Sequence, residues 1–179
     1  MAPAASWEDF ARAAARTAEG RRALEAFRRA RRLVAFTEAK REMLRVLLRR
    51  HRETRVLIFT ADNESAYAVA REHLVMPFTC DIGRRERQDV LLRFREGTLR
   101  ALVSARVLNE GIDVPDAEVA IIVGCALGQR EHVQRVGRLL RPREGKRALV
   151  YEFVSRKTTE VRQARRRRAG LAPRGAAAL

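Results

Sequence analysis

The sequence is poor in several things, and each shortage excludes something. Of its 179 residues only two are cysteine, Cys80 and Cys125. Neither stands at metal-ligand spacing from the three histidines, so a disulfide framework and a zinc site are both excluded. Both lie in apolar, strand-like surroundings, and buried, reduced thiols are the expectation. No apolar run approaches the roughly 18 residues that a membrane span needs, and no signal-peptide pattern opens the chain. Acidic residues are scarce, 22 against 38 basic ones, which leaves a net charge of +16. Lysine is scarcer still: only Lys40, Lys146 and Lys157 occur, so nearly all the positive charge is arginine.

A surplus of this size repels itself unless it faces a polyanion. Nucleic acid and an anionic membrane are the two candidates, and the absence of apolar segments favours nucleic acid without a membrane. An Arg- and Ala-rich composition also arises from a GC-rich genome, so charge alone does not decide the matter. At 46% hydrophobic residues the chain has enough apolar side chains to bury a core.

Periodicity divides the chain. Residues 1–54 read as a helical extension. Its first helix follows a cap at Ser6, with Trp7, Phe10, Ala14, Leu24 and Phe27 at helical spacing and Gly20 as a candidate break. Its second is capped by Thr37, striped by Met43, Leu44, Leu47 and Leu48, and ends near His51. Between Arg21 and Arg55 there are 13 basic residues and four Glu; a solvated helix face and a phosphate-binding face fit this equally. Residues 55–155 then alternate short apolar runs with helical patterns. Strands are expected at 56–60, 78–82, 101–105, 119–124 and 148–154, with helices at 64–74 and 85–95. That alternation predicts an α/β fold with a mostly parallel sheet flanked by helices. Residues 156–179 read as a basic helix, with Arg165 to Arg168 consecutive, and a disordered end. Ligands of such sheets bind at the carboxyl ends of the strands.

Two segments carry chemistry. In Gln134-Arg135-Val136-Gly137-Arg138-Leu139-Leu140-Arg141, helical spacing places Gln134, Arg138 and Arg141 on one face. Within this segment no carboxylate stands at helical spacing to neutralise them. Gly137 admits close backbone approach, and an amide beside two guanidiniums suits phosphate oxygens. On charge alone the same residues are an ordinary solvated helix. The second segment runs from Val103-Ser104-Ala105 to Gly111-Ile112-Asp113. A strand ends in a hydroxyl, Gly111 allows a sharp change of direction, and Asp113 is either a loop cap or an acceptor for a sugar hydroxyl.

In this order the motifs resemble a family. Phe59-Thr60, then Gly83 with Arg87 and Phe94, then Ser104 with Gly111-Ile112-Asp113, then Gln134 to Arg141 resemble motifs IV, IVa, V and VI of superfamily 2 (DEAD/DEAH-type) helicases. The phrase Gly83-Arg84-Arg85-Glu86-Arg87 looks most like the XPB branch of DNA-unwinding enzymes. The resemblance implies a RecA-like C-terminal motor domain. It implies that Arg138 and Arg141 are arginine fingers for the γ-phosphate of ATP, and that Gln134 meets the γ-phosphate or the attacking water. It further implies that Gly111, Asp113 and Gly137 line the nucleotide, and that Thr60, Ser104, Ala105 and Arg84 meet the nucleic-acid backbone.

The sequence lacks Gly-Lys-Ser/Thr; Gly145-Lys146-Arg147 has neither the hydroxyl nor the preceding glycine. ATP and Mg²⁺ are therefore expected to be held mainly by a first RecA-like domain outside this chain, and the chain alone to be inactive. DNA is the expected partner, with RNA as the alternative, in the cytoplasm and at the bacterial nucleoid, with DNA repair as one setting. The competing readings are a non-catalytic basic binding module that keeps the fold, and an unrelated nucleotide-binding domain. Several motifs in the right order argue against the second. If the basic faces track phosphates, the affinity of the chain for single-stranded DNA will fall steeply between 50 and 200 mM salt, about 300-fold for six contacts. Salt-independent binding in a titration series would remove them as a track.

Overall fold

The computed structural model describes residues 7–105, 117–124 and 149–169. The chain forms two compact units, residues 1–34 and residues 35–179. The first contains α1 (Trp7–Ala14) and most of α2 (Ala18–Ala35). The helical run expected to break at Gly20 breaks earlier, at residues 15–17. The Thr17 hydroxyl accepts the Gly20 N–H at 3.0 Å, a capping bond that starts α2. Gly20 lies inside α2, where any Cβ would collide with the Ala14 carbonyl.

The second unit holds a five-stranded sheet. In chain order come α3 (Glu38–Arg50), β1 (Val56–Phe59), α4 (Asn63–His73), β2 (Met76–Pro77) and α5 (Arg84–Arg95). Then follow β3 (Ala101–Ser104), β4 (Val119–Ile122), β5 (Leu149–Glu152) and α6 (Thr159–Ala169). The strand order is β2-β3-β1-β4-β5, and each pairing is parallel. Strands joined in parallel need crossovers: α4 carries the chain from β1 to β2 on one face, and α5 from β2 to β3 on the other.

Alternation along each strand sorts the core into two layers. Leu57 and Phe59 of β1, with Leu102, Ala120 and Ile122, pack on Phe78, Val90 and Phe94. Val56 and Ile58, with Val103, Val119 and Ile121, pack on Leu44 and Leu47 of α3 and on Ala66, Val69 and Ala70 of α4. A continuous apolar run such as Val56-Leu57-Ile58-Phe59 is required because both faces of β1 are covered. Thr37 is the expected cap and accepts the Lys40 N–H; Asp62, not singled out by the sequence, caps α4 by accepting the Ser65 N–H.

Two expectations need correction. The second strand, expected at 78–82, is Met76–Pro77. Pro77 has no N–H for a ladder, which suits β2 to its place at the sheet edge. Phe78 still donates to the Val103 carbonyl at 2.7 Å, and the chain then leaves the sheet. Cys80 consequently lies in a loop and is exposed, not buried; Cys125 lies outside the described residues. The basic C-terminal helix begins at Thr159, after a turn at residues 156–158. No helix among the described residues is long and apolar enough to cross a membrane.

Two described residues other than glycine adopt the left-handed conformation: Leu74, and Lys157 at φ 58°. Leu74 ends α4 in the left-handed conformation, φ 53°, with 92% of its surface exposed. A branched side chain there clashes with its own backbone and buries almost nothing in return. Leu74→Gly should raise stability by about 1 kcal/mol, read as a higher urea midpoint at unchanged m-value; a lower midpoint would show that the leucine is held by contacts.

Candidate nucleic-acid and nucleotide interface

The carboxyl ends of β1, β2 and β3 bring together the described residues singled out by motif. Phe59 and Ser104 are in register across the β1–β3 pair. One residue further, the Thr60 N–H donates to the Ser104 carbonyl at 3.0 Å, which carries the ladder past the end of β1. Thr60, Ser104 and Ala105 are buried, whereas Arg84 is exposed. The Thr60 hydroxyl donates to the Asp62 carbonyl at 2.9 Å, and Asp62 in turn caps α4. The turn from β1 into α4 is thus fixed by side chains from both of its ends.

Ser104 differs from its neighbours. Its hydroxyl is fully buried and, among the described residues, has no hydrogen-bond partner. An unsatisfied buried hydroxyl costs about 1–3 kcal/mol, so its presence at the end of a strand marks a position kept for something other than folding.

The loop after β2 carries a polar cluster that sequence reading missed. The Tyr67 hydroxyl, from α4, contacts the Thr79 hydroxyl at 2.8 Å and donates to the Asp81 carboxylate at 2.8 Å. Thr79 is completely buried. Its bond to Tyr67 favours the phenolate. The bond to Asp81, burial, and the charges of Asp81 and Cys80 outweigh this and raise the Tyr67 pKa above the usual range. Asn63 donates to the Cys80 sulfur at 3.2 Å. Tyr67 lies 12 to 14 residues from its partners, and no local spacing announces the contact.

Next comes the start of α5. Gly83 is its N-cap and makes no side-chain cap bond. A Cβ at Gly83 would meet nothing within 4 Å, so packing does not demand glycine there. Arg84 occupies the first turn. Arg87 lies with its Cζ 5.8 Å from the Phe78 ring centroid, and its Nε is buried without a partner. Uncapped N–H groups, an exposed guanidinium and an under-satisfied one face the same end of the helix, where the macrodipole is positive.

Gly111, Asp113, Gln134, Gly137, Arg138 and Arg141 lie outside the described residues. Among the described residues no group of three or more His, Cys, Asp or Glu is placed to hold a metal ion. Asp62 and Asp81, the carboxylates near these strand ends, are engaged in the cap and in the tyrosine cluster.

The fold and the arrangement of its strand ends define a RecA-like α/β domain. Residues 39–143 match the family model described as the helicase conserved C-terminal domain. That is more than half of the sequence, and the chain belongs to this family, as the C-terminal domain of a superfamily 2 helicase. It is 36% identical to the DNA 3'-5' translocase XPB2 of Sulfurisphaera tokodaii, over 87% of this chain and 35% of that protein. It is 30% identical to the DNA 3'-5' helicase XPB of Mycobacterium tuberculosis, over 80% of this chain and 27% of that protein. The chain therefore spans about a third or less of the curated relatives it matches. Among solved structures, the C-terminal domain of the DEAD-box protein Dbp5 superposes with a TM-score of 0.60 at 23% identity, covering 69% of this chain and 73% of that one. That likeness supports the fold.

Because the buried Ser104 hydroxyl has no hydrogen-bond partner among the described residues, Ser104→Ala should raise stability by about 1–3 kcal/mol, the cost of leaving that hydroxyl unsatisfied. It should also weaken single-stranded DNA binding several-fold. A large loss of stability at unchanged affinity, measured by melting and fluorescence anisotropy, would make Ser104 a structural residue instead.

Proposed function

We propose that the chain is the second motor domain of an ATP-dependent DNA helicase or translocase, acting against a first RecA-like domain that carries the phosphate loop and the Mg²⁺ ligands. The observation that supports this best is the Thr60–Ser104 junction. A buried hydroxyl without a partner lies beside Thr60 and Ala105, at the strand ends that the helicase motifs assign to the nucleic-acid backbone. Backbone contacts of this kind hold phosphate without reading bases, as a motor that steps along any sequence requires. Arg84 and the uncapped start of α5 extend the same surface.

In this reading Gly111, Asp113 and Gly137 line the nucleotide, and Gln134 orients the attacking water. Arg138 and Arg141 complete the γ-phosphate site from outside the phosphate loop. ATP, when bound, supplies the phosphoanhydride whose cleavage drives the cycle. The residues of this chain stabilise the charge that develops on it and tie its loss to the grip on DNA. Asp62 and Asp81 are engaged elsewhere, so no Mg²⁺ role is assigned to them. The net charge of +16 favours a polyanion, and DNA is favoured over RNA by the printed activities of the XPB relatives. The compartment of action is the one that holds the DNA, in bacteria the cytoplasm and its nucleoid.

In a protein carrying both motor domains, Arg138→Ala should lower DNA-stimulated ATP turnover by about 10³-fold or more with DNA binding retained. The isolated chain should not hydrolyse ATP. Wild-type turnover by the variant sinks the finger assignment, and turnover by the isolated chain sinks the split site.

A further inference from the structure

A second polar centre lies at the opposite side of the sheet's carboxyl edge, and none of the helicase motifs includes it. Lys40, in the first turn of α3, is 5% exposed. Its ammonium reaches both carboxylate oxygens of Glu160, at 2.8 and 2.9 Å, and the carbonyl of Ala35 at 3.3 Å. Glu160, in the first turn of α6, also accepts the Ser155 N–H at 2.8 Å. Its charge there complements the positive end of α6. The partners are 120 residues apart in sequence.

The two outer bonds are to backbone, and their positions matter. The Ala35 carbonyl lies against Gly124, where a Cβ would approach it to 2.9 Å. Gly124 is the second residue beyond β4 and leads into residues 125–148. Ser155 is the third residue beyond β5, the strand to which that segment returns. Val123 donates to the Phe59 carbonyl and Phe153 to the Ile122 carbonyl, so each end also belongs to the sheet. One ion pair therefore braces the exit and the return of the stretch that contains Gln134, Arg138 and Arg141.

Stability alone does not call for a charged pair here. Apolar replacement of a buried ion pair is often neutral or stabilising, whereas removing one partner leaves a buried charge and is costly. What apolar side chains lack is the pair of directional bonds to Ala35 and Ser155. We infer that Lys40 and Glu160 form a positioning clamp, which fixes the carboxyl end of β4 relative to the turn after β5 and so sets the spacing from which residues 125–148 are strung. Its effect on turnover rests on the finger reading of Arg138 and Arg141. Displacing a catalytic group by about 1 Å costs on the order of 10²-fold in rate, so a partial loosening should cost about ten-fold.

The test is the double variant Lys40→Met/Glu160→Met, which removes both charges together. In the chain itself, hydrogen exchange at the Val123 and Phe153 amides should quicken about ten-fold while the melting temperature stays within a few degrees. In a protein carrying both motor domains, kcat should fall about ten-fold with KM for ATP unchanged, a split that a purely stabilising pair would not produce. Should the double variant fail to fold, Gly124→Ala displaces Ala35 with the ion pair intact and should quicken the same two amides. Unchanged exchange at both amides in a folded variant overturns the clamp. Faster exchange with unchanged kcat overturns its link to turnover. Arg138→Ala, assayed alongside, separates the two ideas: if it is silent the finger reading fails, while the exchange data still decide the clamp.

Discussion

Both faces of β1 are apolar, and the rest of the domain follows from the need to cover them. Val56 and Ile58 point to one side, Leu57 and Phe59 to the other, and each is nearly inaccessible to solvent. A strand buried on both faces must be central and must have helices above and below it. That places β3 and β4 on its flanks and sends α3 and α4 to one face and α5 to the other. Chain direction then matters as much as burial. Because the strands run in parallel, the connecting loops that leave them gather on one edge, and Thr60, Ser104 and Arg84 gather with them.

That edge divides into a part built for contact and a part built for rigidity. At the ends of β1 and β3 the chain keeps an unsatisfied hydroxyl on Ser104 and, nearby, an under-satisfied guanidinium on Arg87. Across the sheet, at the ends of β4 and β5, Lys40 and Glu160 satisfy every hydrogen-bonding group they bring together. Unused polar capacity suits a surface that must take up and release a phosphate backbone. Saturated capacity suits an anchor. The same contrast applies to charge. Arg41 and Arg45 on α3 are tied to Glu72 and to acids one turn away, whereas Arg84 and Arg87 at the start of α5 have no acidic partner among the described residues. The arginine surplus is thus not one uniform coat.

Much of the fold was legible in the sequence because it rests on local rules. The apolar run at Val56, the cap at Thr37, and the alternation of strand and helix patterns are short-range signals, and the helices at 63–73 and 84–95 lie within a residue of expectation. The parallel sheet and the superfamily were legible too, since Phe59-Thr60, Gly83 with Arg87, and Ser104 stand in a fixed order along the chain. The misplaced β2 had a readable cause in Pro77, whose missing N–H ends a ladder. The break before α2 did not, because Gly20 drew attention from the Thr17 cap.

What only the tertiary structure decided are the pairings across long separations and the hydrogen bonds that remain unmade. Nothing near Lys40 in sequence points to Glu160, and nothing near Tyr67 points to Asp81; parallel crossovers bring them together. Whether a serine hydroxyl is satisfied depends on every neighbour in three dimensions, which no spacing encodes. Sequence by itself determined the kind of domain, through periodicity and motif order. The packed sheet determined which polar groups on its working edge are held fast and which stay open to a ligand.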